Sequence, residues 1–462
     1  MRHIRGRSPA SVIRLLFHEI KSEDLRRRRL LGIVQGAVTG FGSKLVGVLV
    51  AFLSVPLTIG YLGPERYGAW VTLGSLLAWL QLTDFGLGNG LTNAMTTAAA
   101  QDRPDLVRMH VSNAAFLLSA IAGLTGLVAA LLWPFLDWSA IFGLSHAEAK
   151  REIGPAVAVA LGIHLLGFPL AVTGRVYLAY QEGRIGSYWG MAGNLLGLTA
   201  LMVVTRTQGG LAWLVFAASG TGLMVNVANA AWVFLRHRPS LLPRLAHVEL
   251  RSMLALGQAG SQFFLIQIMA LVTFQSDNLV ISHYAGAARV AEYSLTYSLF
   301  GYASLPQTML FGYLWAAYAE AIARKDIAWV SRTFHLNLGA GIAFSVAAVL
   351  FLAAIAQPFI AWWAGGAVVP GAGLIGWMAA WGVINACTNP VACLLAAAGH
   401  LRAQLVYSAL ATALNLALSI HLVQTWGVEG VIAATVISYA IFVCIPILVD
   451  AELLMARLRR AG

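Results

Sequence analysis

Long apolar runs alternate with short polar segments along the chain, and this alternation predicts a bundle of membrane-spanning helices. A helix needs about 20 predominantly apolar residues to cross the hydrocarbon core of a bilayer. Several runs are longer, which predicts tilted spans or spans that extend beyond the bilayer. The predicted spans are residues 33–60, 67–98, 109–135, 153–180, 185–205, 211–235, 253–283, 290–320, 327–362, 373–398, 403–424 and 428–450. We therefore predict an all-α polytopic membrane protein with about 12 transmembrane helices.

A short motif occurs twice and divides the predicted spans into two groups of six. Tyr61-Leu62-Gly63 lies between spans 1 and 2, and Tyr284-Ala285-Gly286 lies 223 residues later, between spans 7 and 8. Because each group has an even number of spans, both groups begin on the same side of the membrane. The pattern predicts two six-helix lobes related by a pseudo-two-fold axis along the membrane normal, which is typical of transporters. We expect the two hairpins to face one another across a cavity.

The distribution of basic residues predicts the orientation of the chain. Of the 30 Lys and Arg residues, 24 lie in segments on the same side as the N-terminus, and 5 lie on the opposite side. Since positive residues accumulate in cytoplasmic segments, we expect both termini in the cytoplasm. The resulting organisation is a basic cytoplasmic tail at 1–32, an N-terminal lobe at 33–235, a cytoplasmic linker at 236–252, a C-terminal lobe at 253–450 and a cytoplasmic tail at 451–462.

The basic tail contains apolar residues at helical spacing. Ile13, Leu16, Phe17 and Ile20 recur every three or four residues, and the run Arg26-Arg27-Arg28-Arg29 follows them. This combination predicts an amphipathic helix that lies on the anionic inner leaflet. The alternative is a disordered basic tail.

Composition supports the membrane class and excludes others. Hydrophobic residues make up 59% of the chain and charged residues only 11%, whereas a soluble domain has about a quarter charged residues. The formal net charge of +11 arises from the cytoplasmic segments, so we expect no nucleic-acid partner. The three cysteines, Cys387, Cys393 and Cys444, lie in apolar runs without metal-ligand spacing, and we expect neither a disulfide nor a metal site.

No motif predicts an enzyme. Asp84-Phe85-Gly86 matches the metal-binding triplet of protein kinases, but it lies in predicted span 2, and the chain has no His-Arg-Asp catalytic loop. A nucleophile with its base, a P-loop and a large extramembrane catalytic region are also missing from the sequence. We expect a protein that is not an enzyme and that uses no cofactor. The sequence does not determine whether a proton or a sodium ion drives it.

Polar side chains form stripes along three spans at corresponding positions of the two halves. Surfaces that face lipid are apolar, so such stripes face protein or water. We expect them to line a cavity; the alternative is hydrogen bonding between helices in a closed bundle. The stripes contain Asn93 in span 2, Gln258, Gln262 and Asp277 in span 7, and Tyr293 and Tyr297 in span 8.

Ionisable residues inside the predicted spans are candidates for function because their burial in lipid is costly. Lys44 lies within span 1, and no acidic residue lies three or four positions from it. We expect Lys44 to face a wet cavity, an anionic ligand, or a carboxylate such as Asp84 or Asp277. The alternatives are a structural ion pair and simple snorkelling. Arg175 extends a cationic inner vestibule or snorkels to the inner interface.

Three stretches carry a resemblance to a known family. They are Tyr61-Leu62-Gly63-Pro64-Glu65-Arg66-Tyr67-Gly68-Ala69-Trp70, Leu82-Thr83-Asp84-Phe85-Gly86-Leu87-Gly88 and Asp277-Asn278-Leu279-Val280-Ile281-Ser282. With them the chain resembles bacterial polysaccharide exporters of the O-antigen flippase type. These exporters belong to the multidrug/oligosaccharidyl-lipid/polysaccharide (MOP) superfamily. The resemblance spans essentially the whole chain and is specific for the superfamily rather than for a substrate.

The resemblance implies a flippase of the bacterial cytoplasmic (inner) membrane. Such a protein moves an undecaprenyl-diphosphate-linked oligosaccharide from the inner to the outer leaflet by alternating access of a central polar cavity. The product serves the biosynthesis of cell-surface or exported polysaccharide. The implied partners are the lipid-linked glycan, membrane lipids, and the polymerase and glycosyltransferases of the same pathway.

Roles for individual residues follow from this resemblance. Aromatic rings would stack on sugar faces, side-chain amides would bind hydroxyls, and cations would bind the diphosphate. The aromatic candidates are Trp79, Tyr293 and Tyr297. The amide candidates are Asn93, Gln258 and Gln262, and the cationic candidates are Lys44 and Arg175. Two alternatives stay open. One is a cation-coupled multidrug exporter of the same superfamily with Asp84 or Asp277 as its ion site, and the other is a membrane-embedded glycan polymerase.

Overall fold

A computed structural model describes residues 9–461, apart from 81–86, 102, 181, 208, 250–267, 270, 306, 308–313, 316, 319–320 and 323. These described residues form helices and turns without a strand. Nine of their helices are long and apolar enough to cross a membrane. The predicted all-α, multi-pass membrane fold is confirmed. The count of twelve spans stays a prediction, because parts of spans 2, 7 and 8 lie outside the described residues.

The first helix contains two predicted spans. Helix α1 (Pro9–Leu80) has a single break at Gly63, where φ is 71° and ψ is 171°. This backbone conformation is essentially restricted to glycine. The turn therefore separates span 1 from span 2 at the place that the Tyr-x-Gly motif predicts. Residues 9–32 are helical and continue into span 1 without a break; a location of this part on the membrane surface stays a prediction.

The remaining helices of the N-terminal lobe follow in chain order. They are α2 (Leu87–Ala100), α3 (Pro104–Leu132), α4 (Trp138–Ile141), α5 (Ala147–Gly167), α6 (Val172–Ala179), α7 (Gly183–Val204), α8 (Gly210–Val215) and α9 (Thr221–Trp232). Short 3₁₀ and π turns join α5 to α6 and α8 to α9, so that each pair forms one apolar crossing.

The described helices of the C-terminal lobe follow. Its helices are α10 (271–285), α11 (Ala287–Ala303), α12 (Ile327–Trp363), α13 (Ala372–Ala397), α14 (Leu401–Trp426), α15 (Val428–Tyr439) and α16 (Ile445–Ala461). A π turn joins α15 to α16, and this last crossing extends the predicted span 12 to Leu458. Most of the predicted tail at 451–462 is therefore a helical extension of span 12.

Glycines with positive φ mark corresponding turns in the two lobes. Each of these turns joins an odd-numbered predicted span to the following even-numbered one, so all of them lie at the same end of the molecule. We call this end the turn end; it is the predicted outer end. The pairs are Gly63 and Gly286, Gly143 and Gly366, and Gly210 and Gly427. Their separations, 223, 223 and 217 residues, are those of a duplicated plan.

The exterior of the helices is apolar, as lipid contact requires. Leu124 and Leu131 on α3 are more than 60% exposed, and so are Leu350 and Phe351 on α12. In water, contiguous apolar surfaces of this kind would cause association. On a membrane helix they replace the polar exterior of a soluble protein.

The apolar cores show where the lobes join. One core at the turn end combines residues from both lobes, among them Tyr67 and Phe142 with Ile281 and Val290. At the other end the buried apolar residues form two separate cores. One contains α2, α3 and α6 residues of the N-terminal lobe, and the other contains α12, α13 and α16 residues of the C-terminal lobe. Within the described residues, the lobes thus share a core only at the turn end.

Candidate functional site

The two Tyr-x-Gly hairpins contact each other at the turn end. Helix α1 packs on α11, and a Cβ atom on Gly68 would lie only 1.6 Å from the carbonyl oxygen of Ala287. A Cβ atom on Gly143 would lie 1.9 Å from the carbonyl oxygen of Ser282. No side chain fits at such distances, so glycine at 68 and 143 allows the backbones of the lobes to touch. We call this contact the interlobe seam.

Polar and aromatic contacts complete the interlobe seam. The Asn278 amide nitrogen donates a hydrogen bond to Ser75 Oγ at 2.8 Å, and Ser282 Oγ donates to the Phe142 carbonyl oxygen at 2.7 Å. The Trp363 indole stacks on Phe52 with ring centroids 5.0 Å apart. The interlobe seam thus combines hydrogen bonds and ring contacts with the apolar core that the two lobes share at this end.

Asp277 is buried beside the interlobe seam. The Tyr293 hydroxyl donates a hydrogen bond to Asp277 Oδ2 at 2.5 Å, from the next helix along the chain. The other carboxyl oxygen, Oδ1, is buried and has no hydrogen-bond partner among the described residues. A buried carboxyl with one free oxygen is costly, and such groups are retained mainly where they have a role. At this position the stripes of spans 7 and 8 are joined by a hydrogen bond between helices.

A cavity of about 230 Å³ lies within the C-terminal lobe, between α10, α11, α12 and α13. Its wall contains aromatic rings, hydroxyls and side-chain amides, and no charged side chain is among the residues that the structure describes there. The polar and aromatic lining residues are Phe274, Tyr297, Phe300, Ser304, Ser345, Trp381, Asn385 and Asn389. Ser345 Oγ is buried without a partner in the described part of the chain, so a ligand hydroxyl can bind there.

The cavity lies at the depth of the bilayer core. Tyr297 and Ser304 follow Ala287, at the turn end of α11, by 10 and 17 residues, which corresponds to about 15 and 26 Å along a helix. The hydrocarbon core is about 30 Å thick. Ligand pockets usually measure about 300–1,000 Å³, so this smaller cavity accommodates part of a ligand, such as one or two sugar rings.

Aromatic packing holds the cavity wall in place. The rings of Tyr293 and Tyr297 stack with centroids 6.0 Å apart, and Trp381 meets Tyr439 edge to face at 5.0 Å. Phe274 contacts both Trp381 and Tyr439. Tyr297 is a predicted site residue and lines this cavity. Tyr293 and Asp277 do not line it; Tyr293 stacks on Tyr297 and binds Asp277.

The predicted site residues of the N-terminal lobe lie away from this cavity. Lys44 is exposed on α1, and Arg175 is half-buried on α6; neither forms an ion pair with another described residue. The indole Nε1 of Trp79 is buried and has no hydrogen-bond partner in the described residues. The structure thus does not join Lys44 to Asp277. A role for these residues stays a prediction.

Four predicted site residues are not tested by the structure. Asp84, Gln258 and Gln262 lie outside the described residues, and Asn93 belongs to α2 without a described side chain. The proposed pairing of Lys44 with Asp84 is therefore untested.

The amides of span 10 were not among the residues predicted from the sequence. Asn385 and Asn389 lie four residues apart in an apolar run, so they share one face of α13. The glutamines of span 7 form the same kind of pair, two side-chain amides one helical turn apart in an apolar run. Trp381, one turn before Asn385, continues this face. A search for polar pairs at i and i+4 in every span would have found them.

The described residues contain no group of three or more His, Cys, Asp or Glu side chains that could hold a metal ion. Within this part of the chain, the polar groups that face the cavity are neutral hydroxyls and amides. Their chemistry suits a ligand with many hydroxyl groups.

Comparison with known proteins relates the chain to polysaccharide export. A family model described as polysaccharide biosynthesis protein matches residues 33–318. A Yersinia pseudotuberculosis protein with an assigned role in O-antigen export is 23% identical over 334 residues, which cover 68% of this chain and 72% of that protein. A Salmonella typhimurium protein with an assigned role as O-antigen transporter is 21% identical over 327 residues, or 67% and 70% of the two chains.

Solved structures share the fold. An inward-facing multidrug resistance transporter of the MATE family, in the MOP superfamily, superposes with a TM-score of 0.77 at 14% identity, covering 92% of this chain and 99% of that one. The outward-facing form of such a transporter gives a TM-score of 0.63 at 16% identity, covering 93% and 97%. Together with the family match, these structures confirm the predicted resemblance to exporters of the MOP superfamily.

Proposed function

The chain belongs to the polysaccharide biosynthesis protein family, and on this premise we propose that it is a flippase for a lipid-linked oligosaccharide. The cargo is an undecaprenyl-diphosphate-linked glycan, which the protein moves from the inner to the outer leaflet of the bacterial cytoplasmic membrane. Its relatives with assigned roles in O-antigen export support a polysaccharide as cargo. The polymerase and glycosyltransferases of the same pathway would supply and consume the glycan.

The observation that carries this proposal is the uncharged cavity of the C-terminal lobe at bilayer depth. A glycan cannot cross hydrocarbon, because each hydroxyl would lose its hydrogen-bond partners at a cost of several kcal/mol in free energy. Asn385, Asn389 and Ser345 offer replacement partners, while Trp381 and Tyr297 offer ring faces for the sugar. The lipid tail needs no such partners and can stay in the membrane.

The interlobe seam supports movement by alternating access. The lobes share a core at the turn end, whereas their cores at the other end are separate. If the turn end faces outward, as the basic residues predict, this arrangement is closed to the outside. Opening requires the Gly68–Ala287 and Gly143–Ser282 contacts to separate while the opposite ends approach.

Cations of the N-terminal lobe are proposed to hold the diphosphate. Lys44 is exposed on α1 without an ion pair among the described residues, so its ammonium group is available to an anionic ligand. Arg175 is the second candidate. The expected result is that Lys44→Ala abolishes surface glycan at unchanged protein level; normal display would exclude this role for Lys44.

The test uses a bacterial strain that lacks its own flippase and displays glycan only when this protein is supplied. The double variant Asn385→Leu/Asn389→Leu keeps the side-chain size but removes the hydrogen bonds. Because each bond contributes about 1 kcal/mol, we expect at least a tenfold loss of displayed glycan. Gln424→Leu is the matched control, since this amide is exposed on α14 and only contacts its own helix.

A direct assay completes the test. Purified protein in proteoliposomes should expose a fluorescent lipid-linked glycan to an external glycan-cleaving enzyme, and the double variant should lose this activity. Wild-type protein that leaves the glycan in its original leaflet would contradict the proposed function. Normal flipping by the double variant would contradict only the assignment of the cavity.

A second candidate function is favoured by Asp277, whose Oδ1 is buried without a partner in the described residues. A cation-coupled multidrug exporter would use such a carboxyl as its proton or sodium site. Drug resistance on expression, lost in Asp277→Asn, would support this candidate. Resistance that does not change on expression would count against it.

A further inference from the structure

A basic cleft opens at the end of the C-terminal lobe opposite the turn end. Its volume is about 610 Å³, and it lies between the first turns of α12 and the end of α16. Lys325, Arg332 and His335 contribute its basic groups, and Leu458 of α16 closes one side. None of these residues belongs to the seam or to the cavity described above.

The charges of the basic cleft are available to a ligand. Lys325 and Arg332 are exposed, and neither forms an ion pair with any residue that the structure describes. His335 Nδ1 donates to the Ser331 carbonyl oxygen at 2.7 Å, which leaves Nε2 free to meet a ligand. The one carboxyl in the wall, Asp326, accepts a hydrogen bond from the backbone N–H of Trp329 at 3.1 Å. The cleft therefore contains two cationic side chains, one imidazole, and one carboxylate that already accepts a backbone hydrogen bond.

The basic cleft lies at the level of the membrane interface. Helix α12 has 37 residues, which corresponds to about 55 Å, nearly twice the thickness of the hydrocarbon core. One end of α12 reaches the interlobe seam through Trp363, so its first turns lie near the headgroups of the opposite leaflet. Trp329 and Leu336, in these turns, are 40% and 69% exposed, and they offer apolar surface beside the cations.

We infer that the basic cleft binds the phosphate of an anionic lipid headgroup, with Lys325 and Arg332 as the cationic contacts. The acyl chains would lie along Trp329 and Leu336. Cations next to apolar surface at this level match a lipid, which has a phosphate and an apolar tail, better than a soluble anion. By the distribution of basic residues this is the cytoplasmic leaflet. The inference does not depend on the proposed transport function.

The test titrates lipid into delipidated full-length protein in a neutral detergent and follows the midpoint of thermal unfolding. Phosphatidylglycerol should stabilise the wild type more than phosphatidylcholine, which has the same phosphate but no net charge. In Lys325→Gln/Arg332→Gln, the apparent affinity for phosphatidylglycerol should fall about 25-fold, since each cation near an anionic lipid contributes about fivefold. Lys150→Gln/Arg206→Gln removes the same charges at the turn end and should behave as the wild type.

Two further ligands identify the source of the phosphate. Undecaprenyl phosphate tests the lipid of the cargo, and inorganic phosphate tests a soluble anion. Stabilisation by either lipid that requires Lys325 and Arg332 supports the lipid-phosphate site, and the stronger of the two identifies its occupant. An equal response of both double variants to phosphatidylglycerol would overturn the inference. So would stabilisation by inorganic phosphate that equals stabilisation by the lipids.

Discussion

The hydroxyl of Tyr293 donates a hydrogen bond to Asp277 Oδ2 at 2.5 Å, and both side chains are at least 95% buried. Tyr293→Phe removes this donor and leaves both carboxyl oxygens without a partner among the described residues. We expect a loss of about 1–3 kcal/mol in the free energy of unfolding, measured by thermal unfolding in detergent. In a double-mutant cycle, Tyr293→Phe/Asp277→Leu should cost less than the sum of the single variants. Additive losses would show that the two groups do not interact.

The hydrogen bond between Asn278 and Ser75 joins the two lobes at 2.8 Å. With Cys387, Cys393 and Cys444 replaced, a short methanethiosulfonate crosslinker should bridge the pair Ser75→Cys/Asn278→Cys, because the side chains at these positions contact each other. The bridge should hold the interlobe seam closed and stop glycan display, and a reductant should restore it in cells. Each single cysteine variant is the control. Full display with the bridge formed would show that the seam does not open during transport.

Gly63 and Gly286 have φ values of 71° and 90°, with ψ near 171° and 153°. Alanine at either position is strained, and we expect Gly63→Ala and Gly286→Ala to cost about 1–3 kcal/mol each. Gly60→Ala is the matched control, because Gly60 is helical and has open space around it. It should stabilise the protein by up to about 1 kcal/mol. Thermal unfolding of the three variants checks this, and an equal response at positions 60 and 63 would contradict it.

Glu182 lies between α6 and α7 and contacts two residues at the end of span 6. It accepts hydrogen bonds from Arg238 at 2.7 Å and lies 2.9 Å from His237 Nε2. Burial alone raises the pKa of Glu182, but the hydrogen bonds from Arg238 and His237 outweigh it and hold the pKa below its ordinary value. A carboxyl pKa that is lower in the folded than in the unfolded state stabilises the fold at pH values above the unfolded-state pKa of about 4.3. This stabilisation is lost as the pH falls through the lower pKa of the folded state.

Glu182→Gln should therefore destabilise the protein at pH 7, by about 1–2 kcal/mol for the lost charge-assisted bonds. The difference from the wild type should shrink as the pH falls below about 4. Thermal unfolding at several pH values measures it, and Glu452→Gln is the control, because Glu452 is exposed on α16 and has no ion pair among the described residues. A difference that grows towards acid pH would contradict the assignment.

The sequence predicted the elements of the candidate site better than their arrangement. Helical periodicity put Asp277 and Tyr293 on the polar stripes of spans 7 and 8, but it did not predict the hydrogen bond between them. The same reasoning did not find Trp381 and Asn385, which meet Tyr297 only when α13 packs against α11. The expected cavity between the two hairpins is also not what the structure has at the turn end. There, Gly68 and Ala287 are in contact.

The sequence by itself determined the membrane class and the positions of the two Tyr-x-Gly turns, because apolar length and turn chemistry are local properties of the chain. A span is recognisable from about 20 consecutive residues, and the Tyr-x-Gly turns need glycine for their own backbone. Only the tertiary structure decided that the lobes touch at Gly68 and Gly143 and that the described cavity lies within the C-terminal lobe. Both depend on contacts between residues far apart in the chain, 219 positions for Gly68 and Ala287 and 84 for Tyr297 and Trp381, and no local pattern specifies how such faces meet.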